Sequence, residues 1–383
     1  MSDYIVQSES LTTVANKIRE KTGESAPLEF PDEFIFEIGK MKYAPKTPTD
    51  ALLFYSPYMF SMGVFNKTKN WTGSIEYSTD YQTWTEWDGT TDMNAQLNHD
   101  YYCIYLRGFN NTIISGITGW TNKKFVFQGI MIKVVGNLYN LIDYTKTLTL
   151  TLGEGCCSAL FHQSNNVDAS DLEIPANIMA KNCFANMFNQ CTGTLKAPAL
   201  PATELMENCY YAMFSQCSSL IEAPELPATI LAKNCYYQMF YGTPITKAPD
   251  LHAPALAYGS YSRMFDSCQY LTKAPKLSFV STDTTSCSGM FKDCKMLEEL
   301  PELLAVNLSA SCYNGMFQGC SKIKISATQI DEYQTEYRIP FSGTGTAQSD
   351  SLTNMFASTG GTFTSNPTIN TTYYTSNTVV PST

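Results

Sequence analysis

Little of this sequence is charged. Asp, Glu, Lys and Arg make up 16% of the 383 residues, and 25 basic against 35 acidic residues leave a formal net charge of −10. No basic run occurs, so the clustered Lys and Arg that a phosphate backbone requires are missing and a nucleic-acid partner is excluded. Histidine is rarer still. His99, His162 and His252 are the whole complement, and none has zinc, triad or deaminase spacing. Phosphate loops, dinucleotide fingerprints and nucleophile elbows are absent too, so no cofactor and no enzyme activity are expected. No apolar stretch approaches the roughly 18 residues of a membrane-spanning helix, and membrane insertion is not expected. The opening MSDYIVQSES has neither a basic nor an apolar signal region. The expectation is synthesis in a cytoplasm without a cleaved leader.

Apolar and aromatic residues are abundant. The chain is 44% hydrophobic, with 24 Tyr and 21 Phe, which suits a large core and a surface of hydroxyl, amide and aromatic groups. Residues 1–41 read as a helical hairpin. Ser10 is placed to cap a helix carrying Leu11, Val14 and Ile18 at helical spacing, and Pro31 opens a second helix carrying Phe34, Ile38 and Met41. Two such helices cannot hide their apolar stripes alone, which marks the segment as an attachment or oligomerisation module. Residues 42–49 form a Pro-containing linker. Residues 50–155 turn to β-branched and aromatic strands, with Asp88-Gly89 at a hairpin turn. Ser78-Thr79-Asp80 before Thr83-Trp84 resembles an Asp-box turn one residue short, and a buried Trp of a β-sandwich is the reading there.

The strongest feature is a repeat. Met-Phe pairs recur at 187, 213, 239, 264, 290 and 316, in steps of 26, 26, 25, 26 and 26. Leu160-Phe161 is an opening copy, and Met355-Phe356 is a closing copy after a 13-residue insertion. Cysteines stand four before the Met (Cys156, Cys183, Cys209, Cys235, Cys312) and four after it (Cys191, Cys217, Cys268, Cys294, Cys320). The i, i+4, i+8 spacing predicts one inward face of a short helical turn. The Ala-Pro stretch that follows predicts extended chain. Such coils bury a core only by stacking, about 4.8 Å apart on the strand side. Thirteen cysteines, an odd number, read as reduced core residues.

The repeat, NCYYAMFSQCSSLIEAPELPATIL at 208–231, resembles the BspA-like leucine-rich repeats of gut and oral bacteria over residues 156–326. The stretch from about 70 to 155, with WTEWDGT and YYCIYLRG, resembles the β-rich segment that precedes such repeats. The opening LTTVANKIREKTGESAPLEFPDEF and the closing TNMFASTGGTFTSNPTINTTYYTSN resemble modules on virion proteins of tailed bacteriophages. The resemblance implies a multidomain α+β protein: a helical hairpin (1–41), a linker (42–49), an antiparallel β-domain (50–155), a leucine-rich-repeat solenoid (156–326), and an insertion with a C-terminal capping repeat (327–383). It further implies a non-enzymatic virion protein, a tail or head fibre that binds the host cell surface. The expected partners are other virion proteins, reached through the N-terminal module, a host surface glycan or protein, and further copies in a homo-oligomer.

The candidate ligand face follows from columns that vary between coils while the core positions do not. One runs Lys196, Glu222, Lys247, Lys273, Glu299, and a second Glu225, Asp250, Lys276, Glu302. An aromatic column three before the Met, Phe184, Tyr210, Tyr236, Tyr261 and Tyr313, is either a half-buried spacer or a stacking platform for sugars. Two other functions stand beside receptor binding. One is a purely structural capsid decoration or fibre. The other is a glycan depolymerase, which needs two carboxylates flanking a groove; the mixed signs of Lys196, Glu222, Lys247, Lys273 and Glu299 read instead as a solvated ladder.

Overall fold

A computed structural model describes Asn16, Glu20 and residues 44–69, 71–110, 124–147, 152–175, 179–193 and 196–382. The chain divides into two compact units, Met1–Lys46 with His99–Tyr101, and Thr47–Asn98 with Tyr102–Thr383. Of the first unit, Asn16 and Glu20 have helical backbone. The expected attachment residues Leu11, Val14, Ile18, Phe34, Ile38 and Met41 lie outside the described residues.

The second unit opens with a β-layer: β1 (Leu52–Ser56), β2 (Ser61–Val64), β3 (Ser74–Ser78), β4 (Thr85–Glu86), β5 (Met93–Asn94), β6 (Gln96–Asn98), β7 (Tyr101–Phe109), β8 (Phe125–Gln128), β9 (Ile132–Asn137) and β10 (Val167–Glu173). One sheet runs β10-β9-β1-β7-β3-β4 and a second β5-β2-β8. The run LLFYS of β1 is buried throughout because β1 is central, antiparallel to β7 (Phe54 opposite Ile104) and to β9 (Phe54 opposite Val134). Phe54 meets Phe127 of the second sheet at 5.6 Å between ring centroids. Asp88 shapes a turn, its carboxylate accepting from the amides of Thr90 and Thr91 with Gly89 at φ 75°, but β4 and β5 on either side lie in different sheets, so the turn is not the expected hairpin.

The expectation of an α+β fold is overturned. Among the described residues helix is limited to α1 (Asn140–Asp143), one 3-10 turn at Phe65–Lys67, and the helical backbone of Asn16 and Glu20. Among the described residues no helical hairpin is evident, and the described parts of the coils contain no helical turn. The wall predicted to be helical is instead a chain of overlapping β-turns. In the coil around Met187, Cys183, Ala185, Met187, Asn189 and Cys191 each donate their amide to the carbonyl three residues earlier, at 3.0–3.3 Å. The residues between them donate to the next coil: Asn182 to Glu207, Phe184 to Cys209, Asn186 to Tyr211, Phe188 to Met213 and Gln190 to Ser215, at 2.8–3.0 Å. Asn182, Asn186 and Gln190 have φ of 59°, 56° and 60°, so every second turn has its third residue left-handed, as a type II turn demands. An α-helix does not hold such residues. The period of four survives, since two overlapping turns advance the chain by four residues and return Cys183, Met187 and Cys191 to the interior.

Stacking aligns the core. Phe161, Phe188, Phe214, Phe240, Phe265, Phe291, Phe317 and Phe356 form one ladder, with successive centroids 5.5–5.9 Å apart and planes within 7°. None of the thirteen cysteines is in a disulfide, and all are buried. The thiols of Cys191, Cys217, Cys268, Cys294 and Cys320 donate to carbonyls of Phe161, Phe188, Phe240, Phe265 and Phe291. Burial pushes the Cys217, Cys235 and Cys268 thiols up to about 12, so they behave as small apolar groups.

Both ends of the ladder are covered. At the first coil, Phe161 packs on Phe54, Phe125 and Phe127 at 6.2–6.4 Å, and β10, which follows that coil, pairs parallel with β9. At the last, Tyr337 and Phe363 meet Phe356 edge-on. The tail strand Thr378–Val380 runs parallel to Glu299–Pro301, and Thr372–Thr375 lies between Ile325–Ser326 and Thr335–Arg338.

The junction with the β-layer buries Lys124, whose Nζ donates to Gln163 Oε1 at 2.7 Å, and His162, whose Nδ1 has no hydrogen-bond partner. Burial, with the Lys124 charge adding, lowers the His162 pKa to about 4.

Two predictions follow from this packing. Phe240→Ala, in mid-ladder, should cost about 3–5 kcal/mol, read as a lower denaturant midpoint; an unchanged midpoint would refute the ladder as a source of stability. Protonated His162 is disfavoured in the fold, so stability should be constant above the ordinary histidine pKa of 6.5 and decline as pH falls from 6.5 to 4. The loss is on the order of 2–3 kcal/mol. His162→Phe should flatten that part of the profile, and a slope that persists would place the titrating group elsewhere.

Candidate functional site

The sequence-derived face separates into two fates. Tyr210, Tyr236, Tyr261 and Tyr313 are no more than 1% exposed. Phe184, Tyr210, Tyr236 and Tyr261 stack at 6.0–6.1 Å, and where Cys287 replaces the aromatic, Phe279 fills the gap between Tyr261 and Tyr313. This column is core and presents no platform to a sugar. The reason is the turn geometry, which sends the residue after each interior Cys inward as well.

Lys196, Glu222, Glu225, Lys247, Asp250, Lys273 and Lys276 are exposed, Glu299 and Glu302 half-buried. Lys196 lies 3.6 Å from Glu222 and Lys273 3.2 Å from Glu299, coil against neighbouring coil. With the Lys196 and Glu222 side chains two-thirds exposed, such a pair contributes about 0–1 kcal/mol. Glu302 accepts from the amide and hydroxyl of Ser382 and anchors the tail. Glu222, Glu299 and Glu302 thus have structural partners.

The wall of overlapping turns is what sequence reasoning missed. Four positions of each coil edge it: two before the Met, one before, two after and three after. Through eight coils they are occupied mostly by Ser, Ala, Asn, Gln and Gly. The left-handed residues explain part of this, since Asn and Gly tolerate that conformation best. Gln163, Gln190 and Gln216 join in an amide ladder at 2.8 and 3.0 Å. These positions hold two carboxylates, Asp266 and Asp293, although the chain is strongly acidic.

Above this small-residue wall stand Tyr211, Tyr237, Tyr241 and Arg263, all half-buried. Tyr211 and Tyr237 stack at 4.8 Å and 12°, and the Arg263 guanidinium lies 6.0 Å from the Tyr241 centroid. Arg263 Nε donates to Asp266 at 2.8 Å, and Asp266 is 1% exposed and also takes the Ser267 hydroxyl. Aligning the coils on their Met-Phe pairs would have exposed this cluster. The assumption of a helical turn concealed which positions face outward.

The β-layer offers less. Trp87 is buried against Trp71 at 5.0 Å, whereas Trp84 is half-buried with Arg107 over its ring at 3.9 Å, the same guanidinium lying 4.4 Å from the Tyr144 ring. Glu76 takes Arg107 Nε at 2.7 Å, so this guanidinium is committed. Asp80 is a turn residue, its pKa held at about 2 by the amides of Thr83 and Gln82 and the Ser78 hydroxyl. An open groove of about 580 Å³ lies between Met59, Leu97, Tyr102 and Gln128. Among the described residues there is no metal-binding cluster and no helix long and apolar enough to cross a membrane. No protein-family model, no curated protein and no solved structure matches the chain.

The hydroxyls of Tyr210 and Tyr313 are buried without a hydrogen-bond partner, each a cost of about 1–3 kcal/mol. Tyr313→Phe should therefore leave stability unchanged or raise the denaturant midpoint, as Phe184 in the same column suggests. A marked loss would mean that the hydroxyl is satisfied.

Proposed function

We propose that this chain is a non-enzymatic bacteriophage virion protein, a tail or head fibre that projects from the particle and binds the host cell surface. Residues 1–41 attach it to other virion proteins or to further copies, and the stacked coils carry the binding surface. The observation that supports this best is the turn wall, an almost uncharged face of hydroxyl, amide and aromatic groups on an acidic chain. Such a face offers hydrogen bonds and ring contacts without desolvating charge, which suits sugars and polar surface polymers. The phage attribution rests on the resemblance of the two chain ends. Of the carboxylates a depolymerase could use, Glu222 and Glu299 are paired with lysines and Glu302 is held by the tail, and this favours binding over cleavage.

Labelled full-length protein should decorate cells of some strains in a panel of gut bacteria without clearing capsule or releasing reducing ends. No decoration of any strain, with the protein still present in particles, would favour a purely structural capsid decoration. Release of reducing ends would establish an enzyme.

A further inference from the structure

We propose that the cluster of Tyr211, Tyr237, Tyr241 and Arg263 is a recognition site for an anionic polysaccharide, pyranose rings lying against the tyrosines and a carboxylate or phosphate on the Arg263 guanidinium. The inference rests on the surface-binding reading above and names the ligand class.

Arg263 is out of place as a structural residue. Its position, one before the Met, is left-handed (φ 53°), and other coils fill it with Ala159, Asn186, Ala212, Gln238, Gly289, Gly315 and Asn354. A long side chain adds nothing to the turn, and a left-handed non-glycine residue is tolerated where surrounding structure enforces it. Here the turn backbone enforces it as in the other coils, the Arg263 amide crossing to the Ser288 carbonyl at 2.8 Å, while Asp266 fixes the side chain. A carboxylate 2% exposed holds Nε of an arginine whose own side chain is 40% exposed. Burying a carboxylate is costly unless it is paired, and this pair fixes the guanidinium at the surface with Tyr237 as a further polar neighbour. Asp266 takes Nε and the Tyr237 side chain is a further hydrogen-bond partner; the remaining N–H groups of the guanidinium can meet a carboxylate or phosphate.

The charge setting agrees. The wall positions carry Arg263 and Lys292 against Asp293 and the neutralised Asp266, on a chain of net charge −10. An anionic polymer is repelled by the molecule at large and accepted here. The aromatic component excludes a charge-only ligand. Tyr211 and Tyr237 stack on each other at 4.8 Å and 12°, so a glycan running across the coils meets their edges and hydroxyls in succession.

The test is affinity electrophoresis of the full chain in gels containing polygalacturonate, a phosphomannan, fully methyl-esterified polygalacturonate or polyglutamate, alongside labelling of the bacterial panel. Polygalacturonate or phosphomannan should retard the protein, and whichever does so identifies the anion. The methyl ester should bind at least tenfold more weakly, and polyglutamate, charge without rings, should not retard it. Tyr211→Ser with Tyr237→Ser should weaken the retardation tenfold or more. So should Arg263→Gln combined with Asp266→Asn, which removes the guanidinium without orphaning a buried carboxylate; unchanged thermal unfolding confirms that each variant is folded. Folded variants that bind like the parent overturn the site. A parent that decorates cells yet ignores both anionic polymers overturns the ligand class and leaves surface binding standing. A parent that does neither overturns both.

Discussion

The structure depends on one constraint, a left-handed residue at every fourth position of the turn wall. It makes each second β-turn type II, so that alternate amides point along the chain and between coils. Amides that close turns satisfy carbonyls three residues back, while the others, as from Phe184 to Cys209 and Phe188 to Met213, cross to the next coil. The backbone thereby meets its own hydrogen-bonding requirement within the stack, which a buried wall must do. Once this backbone is fixed, coil follows coil in register and like residues meet like. The phenylalanine ladder and the thiols on phenylalanine carbonyls are consequences of that register.

Much of this was legible in the sequence, and the part that was not has a physical reason. Met-Phe pairs at steps of 26 gave the coil count, and the stacking of Phe356 on Phe317 at 5.9 Å follows the alignment that set a 13-residue insertion aside. The local conformation was misread. A spacing of four is shared by the α-helix, where i and i+4 lie on one face, and by paired overlapping turns, where four residues complete a cycle. The discriminating signal was Asn, Gln and Gly at 182, 186, 190, 208, 216, 234, 238 and 242, residues that resist helix interiors or tolerate left-handed backbone to different degrees. Ala212 and Arg263 at equivalent positions blur that signal. The same error sent Tyr210 and Tyr236 to a ligand face, because a helix would have placed them beside the stripe instead of within the core.

The charged columns were legible for the opposite reason. Lys196, Glu222, Lys273 and Glu299 lie next to Ala-Pro, where the chain is extended under either reading, and the pairing of Lys with Glu in adjacent coils follows from stacking alone. What the sequence did not show is that Glu302 belongs to the end of the molecule. Its contact with Ser382 spans 80 residues, and no local pattern announces a tail that returns to an earlier coil. The parallel pairing of β10 with β9 is hidden likewise, since it joins a strand after the first coil to a sheet formed before it.

Division of labour between backbone and side chains explains why the turn wall varies where the core does not. Core columns must match from coil to coil, and interior space is shared so closely that Phe279 enters where Cys287 replaces a tyrosine. Wall positions have no such obligation, because the amides beneath them are satisfied by neighbouring coils whatever side chain stands above. Tyr211, Tyr237 and Arg263 can therefore appear among Ser, Ala and Gly without disturbing the stack, and where a charged wall residue is buried, as Asp266 is, it is paired with Arg263. A scaffold held by its backbone leaves the side chains of its wall free to vary from coil to coil, and the departures from the repeat collect there.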